Sequence, residues 1–421
     1  MSSEQEQVQV RFTTQQTEYA VSDAAILLPS NIKKDGLSEI VNSLLDNDKP
    51  IPFDFLIDGQ LLRSSIVEYL NANRLSTENL VTIEYVESML PPTPLTAYQH
   101  DDWISSVKGH NGLFATGSYD NMVRLWNSTG ECVGTFMGHA DSVKSVAFGH
   151  VNDSTAQVFS GGLDHALLGW EYSIEDGSHR LMYECKGHKG PIESVALDAQ
   201  NKYVASASAD GLVKVWTTTE PTEDEPVETG ETNKKRKKTE KTDGRKLKTK
   251  CITLEGHVGA VNAVTFDDAS SNTVYTGGWD HSIRSWDVEQ QVNLTTKNCE
   301  KVVLDVDYSN ASKLLATGHS DNTIRLWDPR SEDGTNVKLS LRGHSAWVSS
   351  VCWSKTSEFA LCSGSYDSTV RVWDIRSKEP LYTVEAEDKT KKDKVLSVYW
   401  DNDKILSGGE EKQLKIYSAK A

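Results

Sequence analysis

A hydroxyl, an imidazole and a carboxylate together can perform nucleophilic catalysis, and this chain carries all three in a fixed order, repeated. An Asp stands six residues ahead of a Trp at Asp120/Trp126, Asp164/Trp170, Asp210/Trp216, Asp280/Trp286, Asp321/Trp327 and Asp367/Trp373, with Glu411/Tyr417 as a degenerate seventh. Four residues before each acidic position comes Thr116, Ser160, Ser206, Thr276, Thr317, Ser363 or Ser407. A His lies upstream at His100, His139, His188, His257 and His344, and sets five and seven lack it. A catalytic set is needed once, so copies in phase along the chain argue for architecture rather than turnover. Neither a phosphate-binding Gly loop, nor a metal-ligand cluster, nor an unrepeated nucleophile–base set stands in the sequence, and the reading is a protein that is not an enzyme.

The elements that hold these sets follow from their period. Trp-to-Trp intervals are 44, 46, 70, 41, 46 and 44, which match the period of about 40 to 45 of a four-stranded propeller blade once the long interval is relieved of an insertion. Alternation marks the strands, as at Val143, Val146 and Phe148 or Val123 and Leu125, with Gly and Asp turns between. These residues resemble the WD-repeat family over about 330 residues. The resemblance implies a mainly β chain with a seven-bladed propeller over residues 100–421. It also implies a hydrogen-bonded chain of His, Ser/Thr, Asp and Trp inside each blade, for example His139/Asp164/Trp170, His188/Asp210/Trp216, His257/Asp280/Trp286 and His344/Asp367/Trp373.

Blade seven poses a problem of closure. Only Ser418, Ala419, Lys420 and Ala421 follow Tyr417, too few for a turn and an outer strand, and an unpaired outer edge would be a template for mispairing. Leu95 to Tyr98 stands directly before His100, where the outer strand stands in other repeats. Residues 91–99 are therefore expected to link the propeller to what precedes it and to close the ring, with Leu95–Tyr98 against Leu414–Tyr417.

Residues 1–90 do not share the repeat. Val8, Val10 and Phe12 alternate as a strand; Ile26–Leu28 follows; Leu37, Ile40, Val41, Leu44 and Leu45 fall on one helix face; Phe53, Phe55 and Ile57 precede the turn Asp58-Gly59; Leu80–Val86 is a last strand. The order predicts a small α+β, ubiquitin-like β-grasp domain. The phrases from Gly36 to Leu45, Pro52 to Ile57 and Leu61-Leu62-Arg63 resemble the domain before the propeller in Notchless-type proteins, which fit eight blades. Seven blades, with Pro91-Pro92 and Asp102-Trp103-Ile104-Ser105-Ser106, resemble more closely the WD-repeat subunits of PeBoW-type ribosome-biogenesis complexes.

That resemblance implies an assembly factor of the large (60S) ribosomal subunit and its rRNA maturation, in the nucleus, nucleolus and nucleoplasm. Its implied partners are the block-of-proliferation WD-repeat protein, pescadillo, pre-60S particles and midasin, an AAA ATPase that grips the β-grasp domain to release the factor. It further implies that Glu78, in Leu75-Ser76-Thr77-Glu78-Asn79-Leu80, is a ligand in trans to a divalent ion, Mg²⁺, held by midasin, the chain having no cofactor of its own. A carboxylate is a hard oxygen ligand suited to that ion. Read from the residues alone, Glu78 is one exposed loop carboxylate among others, such as Glu68 and Glu84.

The chain has 61 Asp+Glu against 44 Lys+Arg, a net −17, which argues against a general nucleic-acid binder. Residues 1–98 hold 14 acidic and 6 basic residues, so this part is steered toward a basic surface. The long Trp216–Trp286 interval gives residues 217–251 the composition of a disordered charged insertion between blades three and four. Its cluster Lys234, Lys235, Arg236, Lys237 and Lys238 reads as a nuclear import signal, an RNA contact or mere solvation. Beside the rim positions stand Trp103, Tyr119, Trp279, Trp347 and Tyr366, a partner surface or a cover for the central channel.

Six cysteines form no CxxC, and neither a secretory leader nor a membrane span is read, so an intracellular, reducing compartment is expected. The competing class is a substrate receptor of a cullin-type ubiquitin ligase: Trp327-Asp328-Pro329-Arg330 and Trp373-Asp374-Ile375-Arg376 match an adaptor-docking phrase. Its alternative is that Arg330 and Arg376 cap their strand ends. No Gly-Gly tail follows the β-grasp domain, which excludes a conjugated modifier.

Overall fold

Alternation at the amino terminus builds a mixed sheet in the computed structural model, which describes residues 7–47, 49–223, 245–331, 337–385 and 391–419. Its strands are β1 (Gln7–Thr13), β2 (Ile26–Pro29), β3 (Phe53–Ile57), β4 (Gln60–Leu61) and β5 (Val81–Glu87), in the order β2-β1-β5-β3-β4. The central pair β1–β5 is parallel, with Val10 opposite Val81, and β1–β2, β3–β4 and β3–β5 are antiparallel. Val8, Val10 and Phe12 alternate into a core shared with Leu37 and Val41 of α1 (Lys34–Leu45) and Ile66 and Leu70 of α2 (Ile66–Ala72). Asp58 and Gly59 both take positive φ, 50° and 73°, the conformation a two-residue hairpin turn needs. Asn42 fixes the chain after α1 by exchanging bonds with Ile51: its Nδ2 donates to the Ile51 carbonyl (2.7 Å) and its Oδ1 accepts the Ile51 N–H (2.8 Å).

The chain divides at Pro91/Pro92 into two compact units. In the second, seven sheets, each built on four antiparallel strands, follow one another, blade one comprising Ile104–His110, Leu113–Ser118, Met122–Trp126 and Cys132–Met137. Blade seven draws three strands from the carboxyl end, Val395–Asp401, Lys404–Gly409 and Gln413–Ser418. Its fourth is β6 (Thr93–Gln99), antiparallel to Gln413–Ser418 with Gln99 opposite Gln413 and Tyr98 opposite Leu414. The His100 N–H extends the seam by donating to the Lys412 carbonyl (2.8 Å).

Side chains on the innermost strands staple neighbouring blades. The N–H of Val146 donates to Ser106 Oγ, of Val195 to Ser145, of Val264 to Ser194, of Val398 to Ser350 and of Val107 to Ser397, at 3.0 to 3.3 Å. Between blades five and six the acceptor is Asp305, whose Oδ2 takes the Val351 N–H at 2.9 Å. Between blades four and five Ala263 stands at the corresponding place, and Asn262 Nδ2 instead donates to the Val303 carbonyl at 2.7 Å.

The insertion departs from the sequence reading in place and extent. It interrupts blade three, between its third strand Leu212–Thr217 and its outer strand Ile252–Glu255. Of residues 217–251, both ends are placed, and Leu247–Lys248 forms a fifth strand on blade two, parallel to Glu184–Cys185. Lys248 explains this. It is 3% exposed, its ammonium donates to the carbonyls of Thr217 and Thr219 (2.6 Å each) and it lies 4.7 Å over the Tyr183 ring. A lysine whose stem packs and whose head is hydrogen-bonded costs little to bury, which net charge does not reveal. Lys234, Lys235, Arg236, Lys237 and Lys238 lie outside the described residues.

Candidate functional sites: the blade networks, the rim and the Glu78 loop

Four blades hold the full side-chain chain. In blade two His139 Nε2 bonds Ser160 Oγ (2.8 Å), Trp170 Nε1 donates to the same oxygen (2.8 Å), and His139 Nδ1 meets Asp164 Oδ2 (2.9 Å). His188/Ser206/Trp216/Asp210, His257/Thr276/Trp286/Asp280 and His344/Ser363/Trp373/Asp367 repeat it. Burial pushes the Asp210 carboxyl up, but hydrogen bonds from His188 and the Lys189 N–H outweigh it and hold it below its usual range. Each hydroxyl is spent between an imidazole and an indole deep in its blade, so these sets hold strands and have no reach to a substrate.

The other blades correct the expectation of one network per blade. In blade one His100 and Trp126 meet Thr116 (2.9 and 3.0 Å), but Asp120 pairs with Arg124, four residues on, at 2.6 Å. In blade five the missing loop His is replaced from within the strand: His319 Nε2 bonds Thr317 Oγ1 at 2.7 Å, beside Trp327 Nε1 at 2.9 Å, and Asp321 pairs with Arg325 at 2.8 Å. Sequence reading missed His319 because it sought the imidazole upstream. The signal was a His where blades two and four have Gly. A Cβ on Gly162 would stand 2.9 Å from His139 Nδ1, and one on Gly278 3.2 Å from His257 Nδ1, and the blades with a loop His carry only Gly or Ser at this position, so the loop imidazole leaves no room there for a second one.

The rim aromatics form two pairs and a single. Trp103 meets Tyr119 edge-on at 5.7 Å, and Trp347 stacks on Tyr366 at 5.7 Å. Trp103, Trp279 and Trp347 are 41, 53 and 44% exposed. Lys144 donates to the Tyr119 hydroxyl (3.1 Å), and Lys394 lies 5.2 Å over Tyr366. Tyr119, Trp279, Trp347 and Tyr366 line a central cavity of about 910 Å³, into which Lys108, Asp305 and Asp307 also face. Arg330 and Arg376, the residues of the adaptor-docking phrase, are each turned back onto the Asp two residues before, Asp328 (2.9 Å) and Asp374 (2.7 Å). Arg376 also covers the Phe359 ring at 4.3 Å, so both carry out the strand-end role.

Glu78 sits in a loop that the end of α2 aims outward. Arg74 takes φ 57° and the Leu75 N–H returns to the Leu70 carbonyl (2.8 Å), a left-handed helix stop. The Glu78 N–H then donates to Ser76 Oγ at 3.2 Å. Residues 71–80 are exposed except half-buried Thr77, and among the described residues the Glu78 carboxylate has no hydrogen-bond or ion-pair partner. Its rivals are engaged. Glu68 closes the capping box of α2 with Ser65, whose N–H and hydroxyl hold the carboxyl below its usual range, and Glu84 is half-buried in β5 opposite Leu56. Among the described residues no group of three or more His, Cys, Asp or Glu is placed to hold a metal. A free, hard oxygen of this kind suits an ion whose remaining ligands another molecule supplies.

Residues 8–70 match the NLE (NUC135) domain family, and residues 92–127, 130–171, 179–217, 248–287, 291–328 and 335–374 match the WD domain, G-beta repeat. The set ending at Tyr417, without Trp or His, falls outside those matches. Among curated proteins, the Ribosome biogenesis protein WDR12 homolog of Nematostella vectensis is 38% identical over 98% of this chain and 99% of its own length. The chain belongs to the WDR12 family. Family proteins of the same printed name in Anopheles gambiae and Drosophila erecta are 33 and 34% identical over 100 and 98% of this chain and 96% of theirs. The WDR12 relatives thus span both units, the β-grasp domain and the propeller, as one architecture.

Proposed function

We propose that this chain is a non-enzymatic assembly factor of the large ribosomal subunit, acting in rRNA maturation in the nucleus and nucleolus. In this reading the propeller scaffolds a PeBoW-type complex with the block-of-proliferation protein and pescadillo, and midasin takes hold of the β-grasp domain to release the factor from the pre-ribosome. Full-length similarity to ribosome biogenesis proteins supports the broad role. The observation that carries the release step is Glu78: the single carboxylate of its loop, exposed, without a side-chain partner among the described residues and held by a defined turn. Glu78 would give one oxygen to a Mg²⁺ ion held by the ATPase, and that ion supplies the charge that makes gripping depend on a metal. The rim aromatics around Trp347 and Trp103 offer the large, partly exposed rings that partner surfaces favour.

Affinity purification of the tagged full chain tests the whole reading. Pre-60S particles with both PeBoW partners are expected, whereas recovery of a cullin adaptor in their place overturns it. Glu78→Ala is expected to stay folded and to keep the propeller partner while losing Mg²⁺-dependent binding to the ATPase. Unchanged affinity of that variant removes Glu78 from the mechanism.

A further inference from the structure

We propose that Leu75 and Leu80 are an apolar collar around Glu78, which shuts water away from the shared ion when the metal-holding partner docks; this rests on the reading of Glu78 as a ligand in trans. Both leucines are exposed, by 43 and 39%, three residues before and two after the carboxylate. The rest of the loop from Asn73 to Asn79 is polar. A single exposed Leu is ordinary. These two stand in one short loop on either side of its one acidic group.

Local structure keeps them there. A residue in the position of Leu75, just past a left-handed helix stop, commonly folds onto the residue five before it. That residue, Leu70, is 1% exposed and already covered by the domain core. Much of the Leu75 side chain is therefore left outward, while the returning Leu75 N–H fixes its backbone. Leu80 directly precedes β5, whose first residue, Val81, is locked opposite Val10. Both flanks are anchored to regular elements.

The carboxylate between them selects the occupant. A purely apolar surface, or a second copy of this loop, would bury Glu78 without a counter-charge, which is costly. The fitting surface has an apolar rim and a cation at its centre. A metal ion with an open coordination position supplies that cation, and contacts that exclude water around it strengthen its attraction for the carboxylate by lowering the local dielectric.

The test measures binding of the full chain to the ATPase in Mg²⁺, with and without EDTA, for wild type, Leu75→Ser/Leu80→Ser, Leu75→Met/Leu80→Met and Glu78→Ala. The Ser pair should raise Kd about tenfold by forfeiting buried apolar area, remain EDTA-sensitive and melt close to wild type. The Met pair should bind within about twofold of wild type, since Met restores apolar area. A Ser pair that binds like wild type while Glu78→Ala fails to bind overturns the collar and leaves the ligand reading intact. Wild-type binding that survives EDTA but is lost in Glu78→Ala identifies a basic side chain as the counter-charge and overturns both.

Discussion

At the scale of single residues, one imidazole position decides how a blade responds to acid. Burial, and then the nearby Arg325 charge, push His319 down to about 4. Because the unfolded chain takes up a proton near pH 6.5 and the folded chain does not until about 4, this group lowers stability as pH falls across that window. Asp307 works in the opposite sense: burial raises it to about 7, so its folded form keeps a proton that the unfolded chain releases, and stability falls as pH rises from about 4 to 7. The difference between variants isolates the imidazole. His319→Gln should lower the melting temperature at pH 7, where the bond to Thr317 is lost, and narrow its gap to wild type at pH 5; a constant gap across pH 5 to 7, followed by circular dichroism, refutes it. Below about pH 4 the depressed carboxyls of Asp164, Asp210, Asp280 and Asp367 add a second loss as they protonate.

At the scale of elements, what the amino-acid order revealed and what it hid have a common cause. Periodicity reports side chains that alternate between core and solvent, so the strands carrying Val123, Val146 or Phe55 were legible, as was the pairing of Leu95–Tyr98 with Leu414–Tyr417. Substitutions that exchange one hydrogen-bond donor for another were not. His319 for a loop His preserves the bond to Thr317 while breaking the motif, and in blade one Arg124 takes Asp120 although the motif with His100 is intact. The strand Leu247–Lys248 was hidden for a related reason, since a charged residue is buried by satisfying it rather than by neutral composition. The free state of Glu78 was hidden too, because the engagement of Glu68 in a cap is a fact of geometry. Two expectations follow. Lys248→Ala should cost about 2 to 4 kcal/mol by leaving the Thr217 and Thr219 carbonyls short of a donor, whereas excising 224–244 should leave the urea midpoint nearly unchanged, as loop length enters only logarithmically. Equal midpoints for the two variants would show that the fifth strand contributes nothing. At the seam, a Cβ on Gly130, whose φ is +90°, would stand 1.5 Å from the Tyr98 hydroxyl, and Tyr98 stacks on Trp126 at 5.3 Å. Gly130→Ala should therefore loosen β6, read as faster hydrogen exchange at residues 93–99 than at blade four; uniform exchange would count against it.

At the scale of the whole molecule, ring closure depends on a strand from the other end of the chain. Deleting 93–99 should lower the propeller's melting temperature and broaden its transition, because Gln413–Ser418 loses its partner along six paired positions. Deleting 1–90 should leave that transition in place, since the β-grasp domain has a core of its own. If both truncations melt alike, the seam is not what holds the ring. The same pairing sets a clock during synthesis. Gln99 and Gln413 are 314 residues apart, and a ribosome adding about 5 to 20 residues per second takes roughly 15 to 60 s to make that span. Until that span is made, β6 has no Gln413–Ser418 to pair with. Its sequence suits the wait. Pro94 lies within β6, and Pro91 and Pro92 just before it, and proline cannot donate to a foreign ladder. Lacking an N–H, the prolines at and just before the seam leave this stretch fewer donors for a foreign strand while its own partner is still to be made.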